Sequence, residues 1–200
     1  MHRRAALSSL TSLSVLTALT ALTALTALMA SACSLAPTVM PVAVFDLGPA
    51  PTAPPTRRAL RVLPVNAPPW LDGPGIAYRL AHADVHRREV YRDSRWVATP
   101  AALLTQRLQQ RVAEGGTGAP ALLVVQLDEF AQVFSAPERS RGVVRLRARL
   151  FEPGAAEGGP ERVFSAERAA DSADARGGVR ALSQAADEAI ERVLAWAAVP

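Results

Sequence analysis

The chain contains no lysine. All 22 basic residues among its 200 are arginines, which removes the phosphate-binding P-loop, lysine Schiff-base chemistry and lysine general bases together. It has one cysteine, so an internal disulfide is excluded, and its three histidines leave little from which to build a multi-histidine metal cage. No serine stands in a nucleophile elbow, and no histidine has an acid partner in a recognisable catalytic arrangement. Asp128 and Glu129 fall in a strand-like run, where neighbours face opposite ways and do not form an acid/base pair. The expectation is a chain that is not an enzyme and needs no cofactor. Aromatic residues make up only 5%, so the few large rings stand out. What is present is ordinary for a globular chain: 50% hydrophobic and 20% charged residues, enough for one domain and a targeting segment at about 150 residues per domain.

The targeting segment is residues 1–32. It has no acid, carries Arg3 and Arg4 near its start, and then runs uncharged through Ala, Leu, Ser, Thr and Val, the pattern of an export signal. Thr17 to Leu28 repeats Thr-Ala-Leu four times, a low-complexity tract that encodes no packed core. An uncleaved membrane span is the competing reading, because the stretch is long enough to cross a bilayer core of about 30 Å. The segment ends Ala30-Ser31-Ala32-Cys33, which resembles a bacterial lipobox with alanine in place of the usual leucine. The other reading is an ordinary signal that leaves Cys33 as a free thiol, which exported chains seldom keep. Lipidation at Cys33 is therefore expected, with residues 33–200 as the mature domain. Acyl chains contribute roughly 0.8 kcal/mol per buried methylene, and two or more anchor durably where one does not. Ser34 follows the cysteine in place of aspartate, which favours the outer membrane, facing the periplasm, over anchoring at the inner membrane.

Removing residues 1–32 takes away two arginines and no acid, so the formal charge falls from +4 to +2. A nearly balanced exported surface argues against a nucleic-acid partner, which would require a concentrated basic face. Fewer than ten residues separate Cys33 from the first strand-like run, and fully extended they reach only about 30 Å. The domain must therefore sit close to its membrane.

Periodicity then gives the order of elements. Strands are expected over 42–47, 59–65, 76–80 and 89–97, with a proline-rich linker over 48–56 and a turn at Asp72-Gly73-Pro74-Gly75. Thr99-Pro100 is a helix start, and the helix should run to about Ala113 with Ala101, Leu104, Leu108 and Val112 on one side and Arg107 among the residues largely elsewhere. Glycines over 114–120 close it. Strands follow at 122–134, 143–151 and 162–168, and a final amphipathic helix at 178–199 presents Leu182, Ala186, Ile190, Val193 and Ala197. This is a mixed α/β sheet with helices packed on it.

Three features invite a functional reading. His82, Asp84 and His86 would share a side of an extended segment and offer metal ligands with help from Glu89 or Asp93; a solvated hairpin loop is the expected alternative. Arg145, Arg147 and Arg149 alternate with Val144, Leu146, Ala148 and Leu150, so they form a row that would suit acidic headgroups or a partner's carboxylates. The expected role of that row is a solvent face paired with Asp128, Glu161 or Glu167, at roughly 0.2–1 kcal/mol per pair. Trp70, Tyr78, Tyr91 and Trp96 gather about the expected hairpin, and with Arg79 they are the candidate partner-contact residues.

Phe45-Asp46-Leu47-Gly48-Pro49, Leu71-Asp72-Gly73 with Ile76 and Tyr78-Arg79, Arg95-Trp96-Val97 ahead of Pro100, Leu127-Asp128-Glu129-Phe130 with Gln132 and Phe134, and a last helix with Ala181-Leu182, Ala185-Ala186 and Trp196 together carry a resemblance. In this order and spacing the chain resembles the ABC-type transport auxiliary lipoprotein family, which includes the PqiC-like lipoproteins of paraquat-inducible, MCE-type systems. The resemblance implies a three-layer mixed sheet with two main helices, similar to anticodon-binding domains and the TolB N-terminal domain. It also implies a lipid-anchored auxiliary subunit beside an ABC permease, an ATPase and a membrane-anchored MCE-domain protein, acting as an adapter in the movement of lipids or other apolar molecules between membranes, with a homo-oligomeric ring as one arrangement. The alternative is a stand-alone lipid-binding carrier of the envelope. The family supplies no catalytic residue.

Overall fold

In the computed structural model, which describes residues 41–52, 56, 58–112 and 116–199, the apolar runs assemble into a seven-stranded sheet with two helices. The leader and Cys33 lie outside the described residues. The elements are β1 (Ala43–Phe45), β2 (Arg58–Val62), a single 3-10 turn (Pro69–Leu71), β3 (Gly75–Leu80), β4 (Arg88–Trp96), α1 (Pro100–Val112), β5 (Thr117–Ala136), β6 (Arg139–Phe151), β7 (Arg162–Ala169) and α2 (Ala175–Ala197). No helix among the described residues is long and apolar enough to cross a membrane.

The sheet runs in the order β1-β4-β3-β5-β6-β7. The β3–β4, β5–β6 and β6–β7 pairs are antiparallel, whereas β1–β4, β2–β5 and β3–β5 are parallel. β5 spans 20 residues and serves two neighbours along one edge: its first part pairs with β2 and its last part with β3.

Such a long strand keeps one core only by changing phase. Leu127 pairs with Leu146 and Glu129 with Arg145, leaving Asp128 as the extra residue of a β-bulge. Before it Ala121, Leu123, Val125 and Leu127 are buried, and after it Phe130, Gln132 and Phe134 are. The sequence-based expectation that Asp128 and Glu129 face opposite ways therefore fails. Both leave the core face, Asp128 accepting from Arg147 at 2.7 and 2.8 Å and Glu129 from Arg88 at 2.7 Å.

Both helices cover the same face. Leu182, Ala186, Ile190 and Val193 of α2 share a single core with Leu104 and Leu108 of α1 and with Val144, Leu146, Ala148 and Leu150 of β6. The opposite face of β6 bears Arg145, Arg147 and Arg149, as its alternation requires. The described elements thus form the mixed α/β sheet with two main helices that the pattern and the resemblance imply.

α2 begins three residues earlier than its pattern shows. Asp174 is its N-cap and accepts from the Gly177 N–H at 2.8 Å, while the Ser172 hydroxyl donates to the same carboxylate at 2.8 Å. Gly177 and Gly178 lie inside the first turn, where Ser172 and Gln132 approach closely. A Cβ on Gly178 would stand 2.1 Å from Gln132 Oε1.

Candidate functional site

The segment Phe45–Pro49, at the edge of the sheet, is held by a buried arginine. Asp46 Oδ1 accepts from the Gly48 N–H at 2.8 Å, closing a tight turn in which Gly48 has φ +69°, a conformation that glycine adopts without a steric penalty. The turn aims the carbonyls of Leu47 and Gly48 at Arg107, whose Nη2 donates to them at 2.9 and 2.8 Å. Arg107 is 3% exposed. Its Nη1 lies 3.6 Å from Asp187 of α2, too far for a hydrogen bond, and neither atom has a hydrogen-bond partner among the described residues. One helical turn on, Arg111 pairs with Glu191.

Arg107 therefore links α1, α2 and the Phe45–Pro49 segment. Burial raises the pKa of Asp187 above the ordinary aspartate value, opposed by Arg107 and Arg111. Leu47 is buried at 6%, and Arg176 lies over the Phe45 ring at 5.8 Å. The expected proline-rich linker over 48–56 is thus docked at its start, where Gly48 accepts from Arg107. Its outer side borders an open groove of about 580 Å³ whose lining includes Val44, Phe45, Val97 and Val179 together with Arg180 and Asp187.

Sequence reasoning placed Arg107 on the polar side of its helix and missed its role. The signal that would have found it is the matched spacing of Arg107 and Arg111 on one helix with Asp187 and Glu191 on the other.

The expected aromatic contact surface divides. Trp96 is 1% exposed and stacks edge-on against Phe130 at 5.6 Å, so it belongs to the core and offers no ring to a partner. Large apolar rings at a strand end are drawn inward by the area they bury.

Tyr78 and Tyr91 are half-buried, with ring centroids 4.7 Å apart. Tyr78 donates to Glu89 at 2.7 Å, and this bond, followed by burial, raises its pKa. Tyr91 donates to Gln132 Oε1 at 2.9 Å, and burial is the main cause that pushes its pKa up to about 12. Gln132, wholly buried, passes the network on by donating to Ser140 at 2.8 Å. A buried amide with partners on both ends is a rigid peg between strands. Arg79 lies 3.8 Å from Glu129 and donates to the Val85 carbonyl. Trp70, on the 3-10 turn, is 64% exposed and joins no ring pair among the described residues.

His82, Asp84 and His86 sit in the loop between β3 and β4. Asp84 accepts from the His86 N–H at 2.8 Å, and His82 Nδ1 lies 3.4 Å from the Phe134 carbonyl. Glu89 is engaged by Tyr78 and Arg87, and Asp93 by Arg92. The described residues contain no cluster of three or more ligand-type side chains. In the arginine row, Arg147 binds Asp128 and Glu161 as expected, but Glu167 goes to Arg141 instead.

Residues 45–193 match the family model described as ABC-type transport auxiliary lipoprotein component. Two crystal structures share the fold. One, of a protein from Xanthomonas campestris, is 18% identical with a TM-score of 0.64, covering 80% of this chain and 93% of that one. The other, of an uncharacterized protein, is 17% identical with a TM-score of 0.60, covering 78% of this chain and 99% of that one. No curated protein matches the chain.

Proposed function

The chain belongs to the ABC-type transport auxiliary lipoprotein family, and from that premise we propose that it is a lipid-anchored periplasmic adapter of an MCE-type transport system for lipids or other apolar molecules. The observation that carries this reading is the sole cysteine, Cys33, standing after small residues at the end of an uncharged leader, with the family domain beginning twelve positions later. Acylated there, the domain is held within about 30 Å of a bilayer by its short tether. Ser34 after the acylated cysteine supports the outer membrane. The partners are the MCE-domain protein and, with it, the permease and ATPase; a ring of copies is one arrangement in which such an adapter works. No catalytic role is assigned.

Among the candidate contact residues, Trp70 is the ring best presented to a partner, whereas Tyr78, Tyr91 and Arg79 are half-buried. What favours an adapter over a stand-alone lipid carrier is the shape of the grooves. The 580 Å³ groove and a second of about 630 Å³, bordered by Arg168, Glu188, Glu191 and Arg192, are both open. A carried acyl chain calls for a concave site that buries most of its surface, whereas an open groove suits a protein surface. Detergent extraction after gentle crosslinking should recover the MCE-domain protein with this chain. Its repeated absence, or recovery of the chain carrying stoichiometric phospholipid in its place, would overturn the adapter reading.

A further inference from the structure

We propose that the open face of the sheet docks on an anionic bilayer surface through Arg61, Arg145 and Arg149. The inference rests on the reading that the chain is a lipoprotein tethered beside a membrane. Arg145 and Arg149 lie on the face of β6 that no helix covers. Arg61 joins them from β2, because it pairs with Leu122, which in turn pairs with Phe151 of β6. Alternate residues of a strand repeat at about 7 Å, so Arg145 and Arg149 are about 14 Å apart along β6, and Arg61 stands two strands, about 10 Å, to one side. All three are exposed.

The acids of this face are already used. Asp128 and Glu161 bind Arg147, Glu129 binds Arg88 and Glu167 binds Arg141. None of the ion pairs among the described residues includes Arg61, Arg145 or Arg149, so the face carries a surplus of positive charge. Apolar side chains accompany the arginines: half-buried Leu122 and Val124 of β5, between β2 and β6, and Val163 of β7, 61% exposed and paired with Arg147 on the other side of β6.

Charge complementarity calls for an anionic occupant, and the lie of the charges selects a bilayer. The three guanidinium groups are spread over a broad sheet surface and do not converge on a pocket, which matches a plane of headgroup phosphates. Guanidinium forms paired bonds to phosphate, and arginine stems rest on apolar surface while their heads stay at the interface. The tether keeps a bilayer within reach. Each basic residue near an anionic surface strengthens docking roughly five-fold, so three together give about a hundred-fold.

The test uses the full acylated protein with Val163→Cys carrying a nitroxide label, Cys33 being blocked by its lipid. The protein is placed on vesicles of phosphatidylcholine alone or mixed with phosphatidylglycerol. On the mixed vesicles the label should become several-fold less accessible to an aqueous nickel chelate, and high salt should reverse this. Arg61→Gln, Arg145→Gln and Arg149→Gln combined should abolish the shielding, whereas Arg180→Gln on the helical side should leave it. Equal accessibility on both vesicles, or shielding that survives the triple substitution, would overturn the proposal. Shielding that appears only on addition of the transport proteins would overturn it in favour of an acidic protein surface. Failure to float with neutral vesicles would overturn the anchoring on which the proposal rests, whereas floating without lipid-dependent shielding would overturn the docking alone.

Discussion

Arg107→Met is the substitution that most directly probes how the Phe45–Pro49 segment is held. Methionine keeps most of the buried volume and removes the guanidinium. Two carbonyls, bonded at 2.9 and 2.8 Å, lose their donor, and half-buried Asp187 loses the cation 3.6 Å away. Removing one partner of a buried pair costs about 3–5 kcal/mol, because the other is left uncompensated. Against a typical total of about 5–15 kcal/mol, that is a large fraction. Urea unfolding followed by the fluorescence of Trp96, buried against Phe130, measures it. Replacing both members, Arg107→Met with Asp187→Leu, should restore much of the loss, since an apolar pair of similar volume is often neutral or better.

Acid gives a second check. The Asp187 pKa is raised in the folded protein, so its carboxylate penalises folding at neutral pH and the penalty is relieved as the pH falls through the folded value towards 3.8. Without Arg107 the opposing attraction is gone, the folded value rises further, and Arg107→Met should regain more stability on acidification than the parent. A cost below about 1 kcal/mol, or single and double variants that simply add, would refute this linking role of Arg107.

Asp174→Ala removes the α2 cap and should cost about 1 kcal/mol. The Asp174 pKa is lowered, chiefly by the Gly177 N–H, so the contribution is present above 3.8 and lost as the pH falls through the folded value, and the variant should show a flatter acid limb in pH-dependent melts. Gly178→Ala would gain helix propensity on an exposed helix but here meets Gln132 at 2.1 Å; a net loss of about 1–3 kcal/mol by urea unfolding is expected, smaller when Gln132→Ala is added. The chain has two tyrosines, and absorbance titration should show one ionising at about 12 that Tyr91→Phe removes; with the folded value above the usual 10, stability should fall as the pH rises past 10. Trp70→Ala, at an exposed site, should change stability by less than about 0.5 kcal/mol while lowering recovery of the MCE-domain protein after crosslinking.

Element types were legible wherever local periodicity and burial agree. β6 shows apolar residues against arginines, and α2 keeps its apolar spacing through Ala197, so both were visible in the chain alone. Three features were not. The bulge at Asp128 reverses the inward face of β5, and nothing in Leu127-Asp128-Glu129-Phe130 announces the extra residue until β6 is laid beside it. Gly177 and Gly178 weaken the start of α2 locally, and only the approach of Ser172 and Gln132 explains them. Arg107 looks like a solvated residue in α1 because its partners lie about 60 and 80 positions away. Among the contact residues, Trp70 and Trp96 look equivalent as rings, and tertiary packing alone separates the exposed one from the buried one.

Acylation of Cys33 underlies the adapter role and the docking face alike, and metabolic labelling with radioactive palmitate reads it directly. Label should appear on the parent chain and vanish in Cys33→Ser, with the variant leaving the membrane fraction. An unlabelled parent, or label that persists in Cys33→Ser, would contradict the anchoring from which the adapter role and the docking face both follow.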